Sequence, residues 1–224
     1  MKKIYSLLFL LALAKSSFAQ EASFTPKTYF GIKGGITEFS VKGTEVDLMR
    51  TGGDDFVPHK DATYGITLTT DLNKYLQLKL EANRIVKGAD HQGNTFYERQ
   101  PKTVTYLQVP ALIGYKLPLS ANLRLLAEAG MAVHGAVVPV KYDRHYYVPG
   151  TIFETPSIMA SPVGGAEVGY YFNNVYVFVN YRYEFDRQKY FERMNGRYYL
   201  QHAGGSAVTI GLMFRTNKGS LKQR

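Results

Sequence analysis

The chain contains no cysteine and no tryptophan in its 224 residues. The first absence excludes disulfides, thiol nucleophiles, iron–sulfur clusters and cysteine-ligated zinc. Beyond the N-terminal segment no stretch approaches the roughly 20 consecutive apolar residues of a transmembrane helix, so any membrane crossing must use strands. Phosphate-loop, dinucleotide-fold, HExxH and GxSxG patterns are also missing. The histidines, His59, His91, His134, His145 and His202, have no metal-ligand spacing. No catalytic residue, cofactor or metal is therefore expected. The formal charge is +9, but no Lys/Arg cluster or RNA-binding motif accompanies it, which argues against a nucleic-acid partner.

The N-terminal segment is MKKIYSLLFLLALAKSSFAQ. Lys2 and Lys3 precede an apolar run from Ile4 to Ala14, and Ser17 and Ala19 offer small residues for cleavage. Residues 1–19 read as a secretory signal peptide, cut before Gln20. Residues 20–224 then form one domain with a short basic C-terminal tail (Arg215, Lys218, Lys222 and Arg224) and a formal surplus of +6 once Lys2, Lys3 and Lys15 are gone.

Eight runs have strand character: Phe30–Val41, Ala62–Asp71, Leu76–Lys87, Thr103–Leu117, Leu123–Val138, Pro162–Phe172, Val175–Phe185 and Ser206–Arg215. Their connections alternate strictly between short and long. The short ones are Leu72–Tyr75, Pro118–Asn122 and the turn pair Asn173-Asn174. Tight turns at one end and long loops at the other are the pattern of outer-membrane barrels.

"LQLKLEANR" (76–84) alternates without a break. A soluble, lipocalin-like barrel would bury its leucines. Here the aromatics argue otherwise: Phe30, Tyr115, Tyr170, Phe172 and Phe214 fall near one rim, Tyr64, Tyr181 and Tyr183 near the other, with aliphatics between. Two aromatic girdles flanking an apolar band mark a lipid-facing surface. The fold class is thus all-β, an eight-stranded antiparallel transmembrane up-and-down β-barrel of OmpA/OmpX-like architecture, monomeric and placed in the outer membrane.

The opposite face holds Lys33, Lys79, Glu81, Arg124, Glu128, Glu167 and Arg182, interleaved with glycines such as Gly31, Gly65, Gly114, Gly169 and Gly211. These seven charged residues are the candidate lumen network, read as an ion-pair plug rather than a proton path or ion filter. Pro110, in mid-strand, predicts a bulge. His134 shares the lumen phase and lacks the serine partner of an outer-surface lipid deacylase. Two long loops mix basic and aromatic residues, "KYDRHYYVP" (141–149) and "DRQKYFERMNGRYYLQH" (186–202). In the second, Arg187, Tyr190, Arg193, Arg197, Tyr198 and Tyr199 are candidate interaction residues, suited to lipopolysaccharide phosphates or an envelope protein partner, or to packing against the other loop.

Six stretches follow in order: "YFGIKGGITEFS" (29–40), "LQLKLEANRIVKGAD" (76–90), "YLQVPALIGYKL" (106–117), "LRLLAEAGMAV" (123–133), "GGAEVGYYF" (164–172) and "VTIGLMFR" (208–215). Together, over residues 28 to 216, they resemble the PorT-like outer-membrane β-barrel family. The resemblance implies an eight-stranded porin-like barrel of the cell envelope, whose founding members assist a secretion and gliding-motility apparatus. The functional expectation is a non-enzymatic barrel with a filled lumen that presents its loops. A small pore or an accessory of a transport or secretion apparatus is the alternative, and a lipid-modifying enzyme the remote one.

Overall fold

The computed structural model describes residues 24–53, 55–92, 102–138, 151–152, 158–187, 189–193 and 197–216. The expected signal peptide, the 141–149 loop and the basic tail beyond Thr216 lie outside the described residues.

Among the described residues the strands are β1 (Thr28–Lys42), β2 (Asp55–Asp71), β3 (Leu76–Gln92), β4 (Lys102–Pro118), β5 (Leu123–Val138), β6 (Thr151–Ile152), β7 (Ile158–Phe172), β8 (Val175–Glu184), β9 (Lys189–Arg193) and β10 (Tyr198–Arg215), with one helix, α1 (Thr44–Thr51). Eight of the strands pair antiparallel in the order β1-β2-β3-β4-β5-β7-β8-β10, and β10 returns to β1, so the sheet closes. Closure leaves every barrel strand paired on both sides, the condition for a sheet in lipid.

The short connections are ordered by their own side chains. Asn73 accepts the Tyr75 and Leu76 backbone N–H groups at 2.8 and 2.6 Å. Ser120 accepts from Leu123 at 3.1 Å. Asn173 takes a φ of 54°, the left-handed conformation its short polar side chain tolerates.

The faces are inverted relative to a soluble barrel. Ile32, Ile36, Ile66, Leu80, Val109, Ile113, Met131, Val179, Val208 and Ile210 are exposed, with Tyr64, Tyr181, Tyr183, Phe30, Tyr115, Phe172 and Phe214 at the rims. Past Tyr64 the exterior turns ionic, with Lys60 at 3.4 Å from Glu38 and Arg84 at 2.9 Å from Asp61. That change marks the upper edge of the lipid band. Spanning needs only about 9–11 residues, whereas β2, β3 and β4 have 17 each. The surplus extends the barrel beyond the membrane at the long-loop end.

The lumen is packed. Tyr29, Tyr176, Phe178 and Met213 fill the short-turn end, Leu112, Ala132 and Val163 form a middle cluster, and Phe39, Ile85, Val104, Tyr106 and Met159 fill the outer part. The lumen glycines are what admits them. A Cβ on Gly169 would stand 2.0 Å from the Tyr176 hydroxyl, and one on Gly211 would stand 2.2 Å from the Phe178 ring.

The bulge predicted at Pro110 is absent. Against β3, Leu80 pairs with Ala111 and Asn83 with Gln108, the same register on both sides, and against β5 Pro110 stands opposite Ala132 without a shift. The missing N–H removes a ladder bond without inserting a residue. The register shifts among the described strands fall elsewhere, between Thr105 and Tyr106 of β4, between Ser40 and Val41 of β1, between Pro58 and Tyr64 of β2 and between Leu200 and Gln201 of β10.

Candidate functional site

Period-two alternation on β1, β3, β5, β7 and β8 brings the lumen charges into one layer. Lys79 Nζ lies 2.7 Å from Glu128 and 2.6 Å from Glu167. Glu128 also accepts from Asn180 at 2.8 Å and from Arg182 Nε. Arg182 grips Glu81 with both terminal nitrogens, the Nη2 contact at 2.7 Å, and Lys33 donates to the same carboxylate. Lys33, Lys79 and Arg182 thus face Glu81, Glu128 and Glu167, and all six are buried. The layer is neutral, and each carboxylate accepts more than one donor, which is what a buried ionic cluster needs to persist. A space of about 30 Å³ remains beside it, lined by Lys33, Thr37, Asn83, Asn180, Arg182 and Thr209 among others.

Arg124 does not join this layer by an ion pair. Its Nε donates to the Tyr176 hydroxyl at 2.9 Å, and that hydroxyl donates to Glu167 at 2.9 Å. The link is a phenol, not a carboxylate.

A second ionic group sits nearer the outside and was not in the candidate network. Lys87, 0% exposed, contacts Glu184 and lies 2.8 Å from Asp186. Gln108 donates to Glu184 at 2.8 Å, and His134 Nε2 is 3.0 Å from the same carboxylate. Asn83 joins the two layers, donating to Glu81 at 3.1 Å and to Gln108 at 3.2 Å. Lys87 shares the odd-numbered phase of Lys79 and Glu81, so alternation could have found it. Among the described residues no group of His, Asp or Glu side chains could hold a metal ion.

The candidate loop residues lie on a structure the alternation did not predict. β10 runs past the barrel and pairs with β9, Tyr198 opposite Arg193 and Tyr199 opposite Glu192, and β9 pairs with β6. Thr44, at the start of α1, donates to the Arg197 carbonyl at 3.0 Å and accepts the Tyr199 N–H at 3.1 Å. Lys189 Nζ stands 4.5 Å from the Tyr199 ring centre. Arg187 and Arg197 are exposed. The side chains of Tyr190, Arg193 and Tyr198 lie outside the described residues.

Residues 6–150 match the outer membrane protein beta-barrel domain family. The chain belongs to that family. Membership places it in the outer membrane, in agreement with the inverted faces. Among solved structures, the outer membrane protein OprG from Pseudomonas aeruginosa is similar at a TM-score of 0.59 and 12% identity, over 86% of this chain and 97% of that one. The outer membrane protein AlkL, determined in DMPC bilayers, gives 0.52 and 12% over 92% and 97%. At such identity both speak to the barrel fold alone. No curated protein sequence matches the chain.

Proposed function

We propose that this member of the family is an exported, non-enzymatic barrel whose lumen is a structural plug and whose outer end presents Arg and Tyr side chains to an anionic surface ligand. The observation that carries the reading is the knitting of β6, β9, α1 and the outer part of β10 into one hydrogen-bonded platform. Loops that only close a barrel need no such order, whereas a binding surface gains affinity from being pre-organised. Lipopolysaccharide phosphates suit it best, because the planar guanidinium fork matches phosphate oxygens. The ordered motifs that resemble the PorT-like family support a place in that family, and an envelope protein partner is the other class of ligand.

The test replaces Arg187, Arg193 and Arg197 with Gln in the full chain and measures binding to lipopolysaccharide vesicles and recovery of envelope proteins. The barrel should remain folded while binding falls by about tenfold or more, since charge-assisted hydrogen bonds contribute roughly 1.5–3 kcal/mol each. Full retention of binding to the vesicles and to every protein recovered with the wild type refutes the platform.

A further inference from the structure

At the short-turn end, opposite the loop platform, the lumen opens into a vestibule of about 370 Å³. Its described walls carry Lys27, Lys74, Lys116, Arg124 and Arg215 against one carboxylate, Asp71. Lys116 lies 2.8 Å from Asp71, so those two charges cancel. The central layer above is neutral by itself, as counted from its ion pairs. Lys27, Arg124 and Arg215 leave the vestibule cationic.

Arg124 forms its floor. The residue is 5% exposed, and its guanidinium carbon stands 4.1 Å from the Tyr176 ring centre and 4.8 Å from that of Tyr171. Nε is satisfied by Tyr176, but Nη2 is buried without a hydrogen-bond partner. Among the described residues no carboxylate pairs with this guanidinium. At the rim the half-buried Arg215, opposite Tyr29, also has a buried Nε without a partner. A buried cation without an anion is unfavourable, as is a buried N–H without an acceptor. Two arginines with orphan donors in one cavity describe a site shaped for an acceptor that the described residues do not supply.

We propose that the vestibule binds a small oxyanion, a phosphate or carboxylate group, gripped by Arg124 and Arg215 and attracted by Lys27. The guanidinium fork takes two oxygens of such a group at once. The Tyr171 and Tyr176 faces fix the plane of the Arg124 fork and keep bulk water from one side of it, which strengthens the contact. The volume is at the lower end of small-molecule sites, roughly 300–1,000 Å³. It admits a phosphorylated or carboxylated solute, and equally the headgroup of a phospholipid from the inner leaflet. The site is at the other end of the barrel from the loop platform, so its failure leaves that reading untouched, and the converse holds.

The experiment uses the full chain folded in a non-ionic maltoside detergent, which brings no phosphate. Two probes are titrated in separate arms: inorganic phosphate, and dihexanoyl phosphatidic acid below its micelle concentration. Calorimetry and the side-chain N–H signals of the arginines are read. Binding should be saturable and weaken as salt is raised. Arg124→Gln and Arg215→Gln should each lower affinity by about tenfold, in line with loss of one charge-assisted pair. Lys60→Gln, at the opposite end beside Glu38, should leave it unchanged. Heat-modified gel migration reports folding of each variant. If Arg124→Gln does not fold, Arg215→Gln at the rim decides. A response to phosphate assigns a free solute, and a response to the lipid analogue alone assigns a headgroup. The proposal is overturned if neither probe saturates, or if the folded arginine variants bind as the wild type does.

Discussion

Replacing Glu81 by Gln removes charge from the central layer and leaves its shape. In the native barrel Glu81 receives Lys33, both terminal nitrogens of Arg182, and Asn83. The exchange converts a neutral layer into one with an unbalanced cation, and Lys33 loses its ion-pair partner. A unit pair about 4 Å apart attracts by about 4 kcal/mol at an effective dielectric of 20. Breaking one side of a buried pair is measured at about 3–5 kcal/mol, and Glu81→Gln should fall there, a large part of a barrel's roughly 5–15 kcal/mol. Lys33→Met should cost less, about 1–2 kcal/mol, because Glu81 keeps the Arg182 fork and its charge-assisted bonds. The double variant restores neutrality, with Lys79 and Arg182 facing Glu128 and Glu167. It should therefore be more stable than the sum of the singles by about 1–3 kcal/mol. Equilibrium urea unfolding from lipid vesicles measures all three. A loss under about 1 kcal/mol for Glu81→Gln, or strict additivity in the cycle, means that the charges are solvated and the lumen is wet.

Two further outcomes follow from the same geometry. Leu80→Arg puts a charge on the lipid face between the buried Lys79 and Glu81 and should cost about 2–4 kcal/mol in vesicle folding; folding equal to wild type contradicts the inverted faces. In planar bilayers the purified barrel should give no stable conductance, and single-channel steps altered by Arg182→Ala would establish a pore in place of a plug.

Most of the barrel was readable because alternation needs no knowledge of contacts. The lipid-facing set and six charged residues of the central layer follow from parity, and the tight turns from the lengths of the connections. What parity misses is any place where the register slips. On β10 the lumen positions are odd from Gly205 to Met213, so His202 reads as outward-facing. Yet His202 is fully buried, because Ser40 pairs with Gly204 while Val41 pairs with His202, leaving Ala203 as an extra residue and Gly204 at a φ of 98°. That slip turns the rest of the strand over. Pro110 taught the opposite error, since a residue that permits a bulge does not require one. The loop platform was illegible for a third reason. β6 and β9 are two and five residues long; β9 is held by pairing with β10 and β6 by pairing with β9, partners that no local pattern names. The role of Arg124 was hidden likewise, because parity places a charge in the lumen without saying which charges will find one another.

β10 has two duties. Its inner part pairs with β1 to close the barrel, and its outer part carries the platform, which α1 then clasps from the far side of that same seam. The α1 side of the platform therefore joins the first and last strands of the barrel, adjacent only after closure. That junction cannot exist on an open or half-inserted sheet. An antibody or ligand that recognises this surface would count finished barrels alone, and the protein carries its own certificate of assembly on its exposed end.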